Sequence, residues 1–183
     1  MKKSVVSIFA LLVCVAGYSQ NSKSFYNSSY ESRNSGSFDQ SASLLTFGLG
    51  FPNTSVNAVS GFPPIYVKYE HGFLRDDVGL GGYIASGFGT IANNNFAAFS
   101  FGIVGYYHFN KLIPIDKMDV YAGAGVGFRS VSFDKSINSN KSDAILIARV
   151  GIRYYVKPKL AVFAETGHDG MSTINLGVTL KLK

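Results

Sequence analysis

STINLGVTLKLK, residues 172–183, alternates without a break from Thr173 onward. Ile174, Leu176, Val178, Leu180 and Leu182 share one face, and Asn175, Gly177, Thr179, Lys181 and Lys183 the other, because strand side chains point alternately to two sides. About 10 residues is also what a tilted strand needs to cross a bilayer. A strand of a soluble sandwich has the same pattern, so the reading turns on whether the pattern repeats.

It repeats through the chain. Leu45, Phe47, Leu49 and Phe51 alternate with Thr46, Gly48 and Gly50; Ile65, Val67 and Tyr69 with Tyr66, Lys68 and Glu70; Val78, Leu80 and Ile84 with Gly79, Gly81, Tyr83 and Ala85. Further on, Phe99, Phe101, Ile103, Tyr107 and Phe109 oppose Ala98, Ser100, Gly102, Tyr106 and His108. Val120 to Phe128 oppose Tyr121 to Arg129, and Leu146, Ala148, Val150, Ile152 and Tyr154 oppose Arg149, Gly151, Arg153 and Tyr155. A seventh run, 160–167, follows the turn at 157–159. Connections rich in Gly, Asn, Ser and Pro separate the runs, and no helical period intervenes. Those after strands one, three and five (53–64, 87–95, 133–142) are read as long loops. Those after two, four and six (72–77, 110–117, 157–159) are read as turns, the alternation of an outer-membrane barrel, to which the connection after strand seven, as short as a turn, is the exception. The predicted fold is all-β, an eight-stranded antiparallel up-and-down transmembrane β-barrel.

The polarity of the faces separates this reading from a soluble barrel. The aliphatic face carries aromatics in two bands, Tyr69, Tyr107, Phe109 and Tyr154 at one end and Phe51, Phe99 and Phe128 at the other. Such bands are the interfacial girdles of a membrane barrel. Glycines and charges take the opposite, inward face. Charged residues make up only 15% of the chain, against about 25% in soluble domains.

Lys2 and Lys3, the apolar run from Val5 to Gly17 and the small residues that follow read as a secretory signal peptide over 1–20, cleaved on export to the cell outer membrane. Its apolar run is too short to span a membrane as a helix. Losing Lys2 and Lys3 lowers the formal charge from +6 to +4. The bases are scattered, which argues against a nucleic-acid partner. Residues 21–41, rich in Ser and Asn and without period, read as a disordered N-terminal segment, and 42–183 as the barrel domain. Cys14, the single cysteine, falls in the leader, so the mature chain has neither disulfide nor thiolate nucleophile.

A barrel of eight strands is only wide enough for side chains to fill. Inward Lys68, Glu70, Arg129, Arg149, Arg153, Glu165 and Lys181 form a structural lumen charge cluster. Counting back from the turn at 157–159 sets Glu165 opposite Gly151, with Arg149 and Arg153 as its diagonal neighbours. Buried charges need partners, so Glu165 is expected to hold both arginines. It and Glu70 are the two acidic residues read as inward. His168, Asp169 and Ser172 gather in one connection, but polar residues beside a glycine read as a turn rather than a nucleophile with an oriented base. Inward His108 reads as a satisfied core histidine. The three histidines lie apart, so no metal site is expected, nor any catalytic residue or cofactor.

PPIYVKYEHG (63–72), GLGGY (79–83), DVYAGAGVG (119–127) and RYYVKPKLAVFAETG (153–167) running into NLGVTLKLK resemble the outer-membrane-protein β-barrel domain family, the small porin-like eight-stranded barrels of Gram-negative bacteria. The resemblance covers roughly 42–183. It implies the fold and an outer-membrane location, with membrane lipid around the barrel and the barrel insertion machinery as a partner in biogenesis. Members differ in function. The expected role is that of a monomer acting without catalysis in envelope integrity or in surface interaction through its outer loops. A narrow ion or small-solute channel and a lipid-modifying outer-membrane enzyme are the alternatives.

Overall fold

The computed structural model describes residues 38–55, 61–91, 93–113, 115, 117–134 and 140–182. Residues 1–20, expected to be a signal peptide, and most of the Ser/Asn-rich segment lie outside them. The strands are β1 (Ser43–Asn53), β2 (Phe62–Gly72), β3 (Val78–Ile91), β4 (Asn94–His108), β5 (Met118–Phe133), β6 (Lys141–Lys157), β7 (Leu160–His168) and β8 (Ser172–Lys181). Each pairs antiparallel with the next, and β8 returns to β1, giving a closed barrel. Closure pairs the backbone of every strand on both sides, which hydrocarbon demands of any spanning chain. The predicted up-and-down barrel is the observed one. Its β6–β7 register sets Gly151 against Glu165, as the count from the turn required.

The faces are as the alternation assigns them. Outward Ile103, Val126 and Leu176 are exposed, whereas inward Tyr66, Tyr121 and Asn175 have at most 1% of their surface accessible. Along β4, β5 and β6 this polarity then reverses, while β3 keeps outward Phe88 half exposed, stacked on Phe62. Past Phe128 the outward residues of β5 are Ser130 and Ser132, while inward Val131 is buried. β6 has outward Ser142 and Ala144 beside inward Ile145 and Ile147, and β4 brings in Phe96 and Ala98. Polar outside and apolar inside is the pattern of a sheet in water. The reversal therefore marks where the hydrocarbon zone ends, at the level of Phe99 and Phe128, which pair with Ser130 and Phe101.

The connections differ from expectation. Only residues 92–93 join β3 to β4, where a long loop over 87–95 was read. Gly87 and Gly89 suggested a loop by composition. In the structure Gly87 is an inward strand residue whose missing Cβ leaves room for Asn53, Pro64 and Met171, each within 3.5 Å of where that atom would sit. The connection after β4, 109–117, is longer than the other turns at its end of the barrel. The two ends differ by strand length instead: β3 to β6 run 14 to 17 residues and β1, β2, β7 and β8 only 9 to 11. The extra length projects beyond the reversal, away from the end where β1 begins and β8 finishes, called here the terminal end.

The last four residues of the segment expected to be disordered, Phe38 to Ser41, are ordered. Phe38 is buried in the terminal mouth of the barrel, and the Asp39 carbonyl accepts from the Ala42 amide at 3.0 Å. Gly72 makes room for this strap, since a Cβ there would stand 2.4 Å from the Asp39 carbonyl oxygen. An aromatic able to cover the mouth gives this stretch apolar surface to bury.

Candidate functional site

The lumen is built in layers. At the terminal end, His108 of β4 sets Nδ1 2.8 Å from Asp119 of β5 and Nε2 2.7 Å from Glu70 of β2. Arg153 of β6 donates to the second oxygens of the same carboxylates, at 2.9 Å to Asp119 and 2.6 Å to Glu70. Ionised carboxylates only accept, so with both ionised His108 carries a proton on each nitrogen and balances the second negative charge. The Arg153 guanidinium also lies 4.0 Å from the Tyr121 ring centroid. Phe38 stacks on His108 with centroids 3.6 Å apart and planes at 4°, sealing this layer. Beside it Lys181 pairs with Asp39 at 3.0 Å. Partial burial pushes the Asp39 carboxyl up, but hydrogen bonds from Ser41 and Lys181 and the lysine charge outweigh it and hold the group below its ordinary value.

The middle layer centres on Glu165 of β7. One carboxylate oxygen is ion-paired with Lys68 of β2 and accepts from Asn175 of β8 at 3.0 Å; the other accepts from the Tyr121 hydroxyl at 2.9 Å. The Arg149 Nε is 3.9 Å away. Above it, Arg149 is ion-paired with Asp169 and donates to the carbonyls of Ser172 and Thr173 at 2.9 and 3.0 Å. Asp169 also accepts the amides of Met171 and Ser172, which fixes the β7–β8 turn, and the Tyr66 hydroxyl at 3.1 Å. Arg129 closes the rim, bonded to Asp143 at 2.7 Å and to the Gly170 carbonyl at 2.8 Å. Over these layers Phe96, Val131, Ile147 and Met171 pack with Tyr83 into an apolar cap.

The seven residues of the expected cluster all face inward, with a different pairing. Glu165 does not hold Arg153, whose partners are Glu70 and Asp119; it keeps the expected Arg149 at 3.9 Å, and its closer ion pair is with Lys68. Register places two arginines diagonal to Glu165, but a long side chain leans along the axis toward the richer set of acceptors. Asp119 was missed as an inward acid because it adjoins a connection; it shares parity with inward Tyr121 and Gly123, and that parity was the available signal. The satisfied core histidine is found at His108. His168, Asp169 and Ser172 do not converge: His168 is exposed while the other two are buried in the lumen network. Asp169 is indeed a turn residue, and it is also the acid that neutralises Arg149.

No family model and no curated protein matches the chain. Solved structures do. Neisserial surface protein A is 15% identical, with a TM-score of 0.51, over 77% of this chain and 95% of that one. The N-terminal β-barrel domain of OprF from Pseudomonas aeruginosa is 17% identical, with a TM-score of 0.50, over 79% of this chain and 98% of that one. At these identities the likeness is one of fold, and the fold is that of the eight-stranded outer-membrane barrels.

Proposed function

We propose that the chain is an integral outer-membrane barrel with a non-enzymatic role, contributing to envelope integrity and presenting its long hairpins at the cell surface. The observation that carries this reading is the filled lumen. Cations and carboxylates pair layer by layer, Phe38 covers one mouth, and an apolar cap covers the other. A channel needs a continuous wet route, and ion pairs set across the bore between two covers oppose one. An enzyme needs a nucleophile and a base at an accessible surface; here Ser172 and Asp169 are tied to Tyr66, Asn175 and Arg149 inside the wall. In this reading the terminal end faces the periplasm and the projecting β3–β4 and β5–β6 hairpins face outward.

Two measurements test it together. Purified protein in planar bilayers should give no ohmic conductance, and the expressed full chain should fractionate with the outer membrane and shift in gel mobility on boiling. Steady conductance would overturn the structural reading in favour of the channel. Recovery solely in the soluble fraction would overturn the membrane reading altogether. A lipid A profile that differs between expressing and deletion strains would favour the enzyme.

A further inference from the structure

The terminal end carries a second surface, outside the lumen, that the role proposed above does not use. The β4–β5 connection leaves Leu112, Ile113 and Ile115 exposed, at 37–51% of their surface, between Lys111 and Lys117. Its described residues are held by backbone hydrogen bonds. The Leu112 and Ile113 amides bond the Phe109 carbonyl, and the Met118 amide bonds that of Ile115 at 3.1 Å. The Lys117 carbonyl accepts the Tyr155 amide at 2.7 Å, joining this connection to the end of β6 and so to Lys157. The Lys159 carbonyl then accepts the Lys181 amide at 2.9 Å, which carries the arc to the end of β8. Val156 and Leu182 are exposed along the same arc.

Charge along the arc is one-sided. Lys117, Lys157 and Lys159 are exposed and have no ion pair among the described residues. Of the nearby carboxylates, Asp39 is engaged by Lys181, Asp77 by Arg75 with Lys111 at 3.9 Å, and exposed Asp76 accepts the Gln40 amide at 3.3 Å. In sequence the connections at 109–117 and 157–159 hold four lysines against one acid, Asp116. A lysine-bearing turn is ordinarily just a solvated face. Aliphatic side chains held outward between the lysines, next to girdle residues Tyr107 and Tyr154, do not suit water. They suit the boundary between acyl chains and headgroups, where apolar groups sink and lysine stems reach back to charge.

We infer that this arc binds the anionic headgroups of glycerophospholipids in the leaflet at the terminal end, with Leu112, Ile113 and Ile115 set in the interface and Lys117, Lys157 and Lys159 on the phosphates. The inference rests on the membrane-spanning reading. It gives the barrel a preference for acidic lipid and a fixed depth on that side.

The test uses the full chain in phosphatidylcholine vesicles carrying trace spin-labelled phosphatidylglycerol or spin-labelled phosphatidylcholine. Electron spin resonance then reads the motionally restricted fraction of each. Phosphatidylglycerol should be preferred by about fivefold for each engaged lysine at low salt, and the preference should fall as salt is raised. The triple variant Lys117→Gln, Lys157→Gln, Lys159→Gln should abolish it, whereas Lys141→Gln at the other end should not change it. Equal restriction of both lipids by the native protein, or a preference that survives either raised salt or the triple variant, overturns the inference. Should the triple variant misfold, the single changes Lys157→Gln and Lys159→Gln decide in its place, each expected to lower the preference and overturning the inference if neither does. Failure of the native protein to enter vesicles at all would instead refute the membrane reading on which the inference stands.

Discussion

Glu165 gathers four strands onto one carboxylate, through Lys68 of β2, Tyr121 of β5, Arg149 of β6 and Asn175 of β8. Breaking a fully buried pair costs about 3–5 kcal/mol because the remaining charge is left uncompensated. Glu165→Gln should therefore lower the urea midpoint of the detergent-folded barrel clearly. Adding Lys68→Met should recover part of the loss, and adding Arg153→Met should deepen it, since that strands Glu70 and Asp119. Equal midpoints for Glu165→Gln and the native protein would mean that water, not Glu165, balances Lys68. At the mouth, the depressed Asp39 carboxyl gives a pH dependence of known sign. A group whose folded value is lowered stabilises above its unfolded value, near 3.8, and loses that contribution as pH falls through the folded one. The protection factor of the Ala42 amide, whose N–H is bonded to the Asp39 carbonyl, should thus fall below about pH 4 and be flat from neutral pH down to that point, once the intrinsic pH dependence of exchange is divided out. At this scale the sequence showed which side chains enter the lumen but not whom they meet. Parity gave Glu165 and Arg153 the same interior, while the direction each long side chain leans depends on acceptors from strands remote in sequence. Asn175 is the sharpest case: a polar residue of the inner wall by alternation, and in the structure a bridge between Ser172 and Glu165.

β5 is the strand along which both solvents can be read. Val126 lies outward in the aliphatic belt, and Ser132, six residues on and also outward, lies past the girdle. An arginine facing lipid costs about 2–4 kcal/mol at the midplane and about 0–1 near the interface. Val126→Arg should therefore destabilise the barrel in lipid and Ser132→Arg should be nearly silent, by unfolding midpoints in vesicles. Leu176→Arg on β8 should behave like Val126→Arg. Equal effects at Val126 and Ser132 would erase the boundary placed at Phe99 and Phe128. Element identity and order were legible because period two persists over long runs and glycine does not disturb it. Element ends were not. The run from Gly87 to Ile91 keeps strand parity, but Gly and Asn are also what turns use, and only pairing with Asn94 to Ala98 decides between the two.

The whole molecule inverts a soluble barrel for most of its height and reverts to the soluble pattern where β4 to β6 project. One wall thus serves lipid and water in turn, with the charged layers under the first zone and the apolar cap under the second. The outward aliphatics were read correctly because the aromatic bands mark their limits. The apolar cap was not foreseen, since Phe96, Val131 and Ile147 belong to strand ends taken for loops or left unread. In a membrane barrel the aliphatic face meets acyl chains and the glycine-and-charge face does not. A nitroxide scan of β8 in phospholipid vesicles tests it most directly, with single cysteines from Thr173 to Leu180 and relaxation by oxygen as the readout. Oxygen accessibility should be high at Ile174, Leu176, Val178 and Leu180 and low at Asn175, Gly177 and Thr179. The opposite alternation, or none, would contradict it.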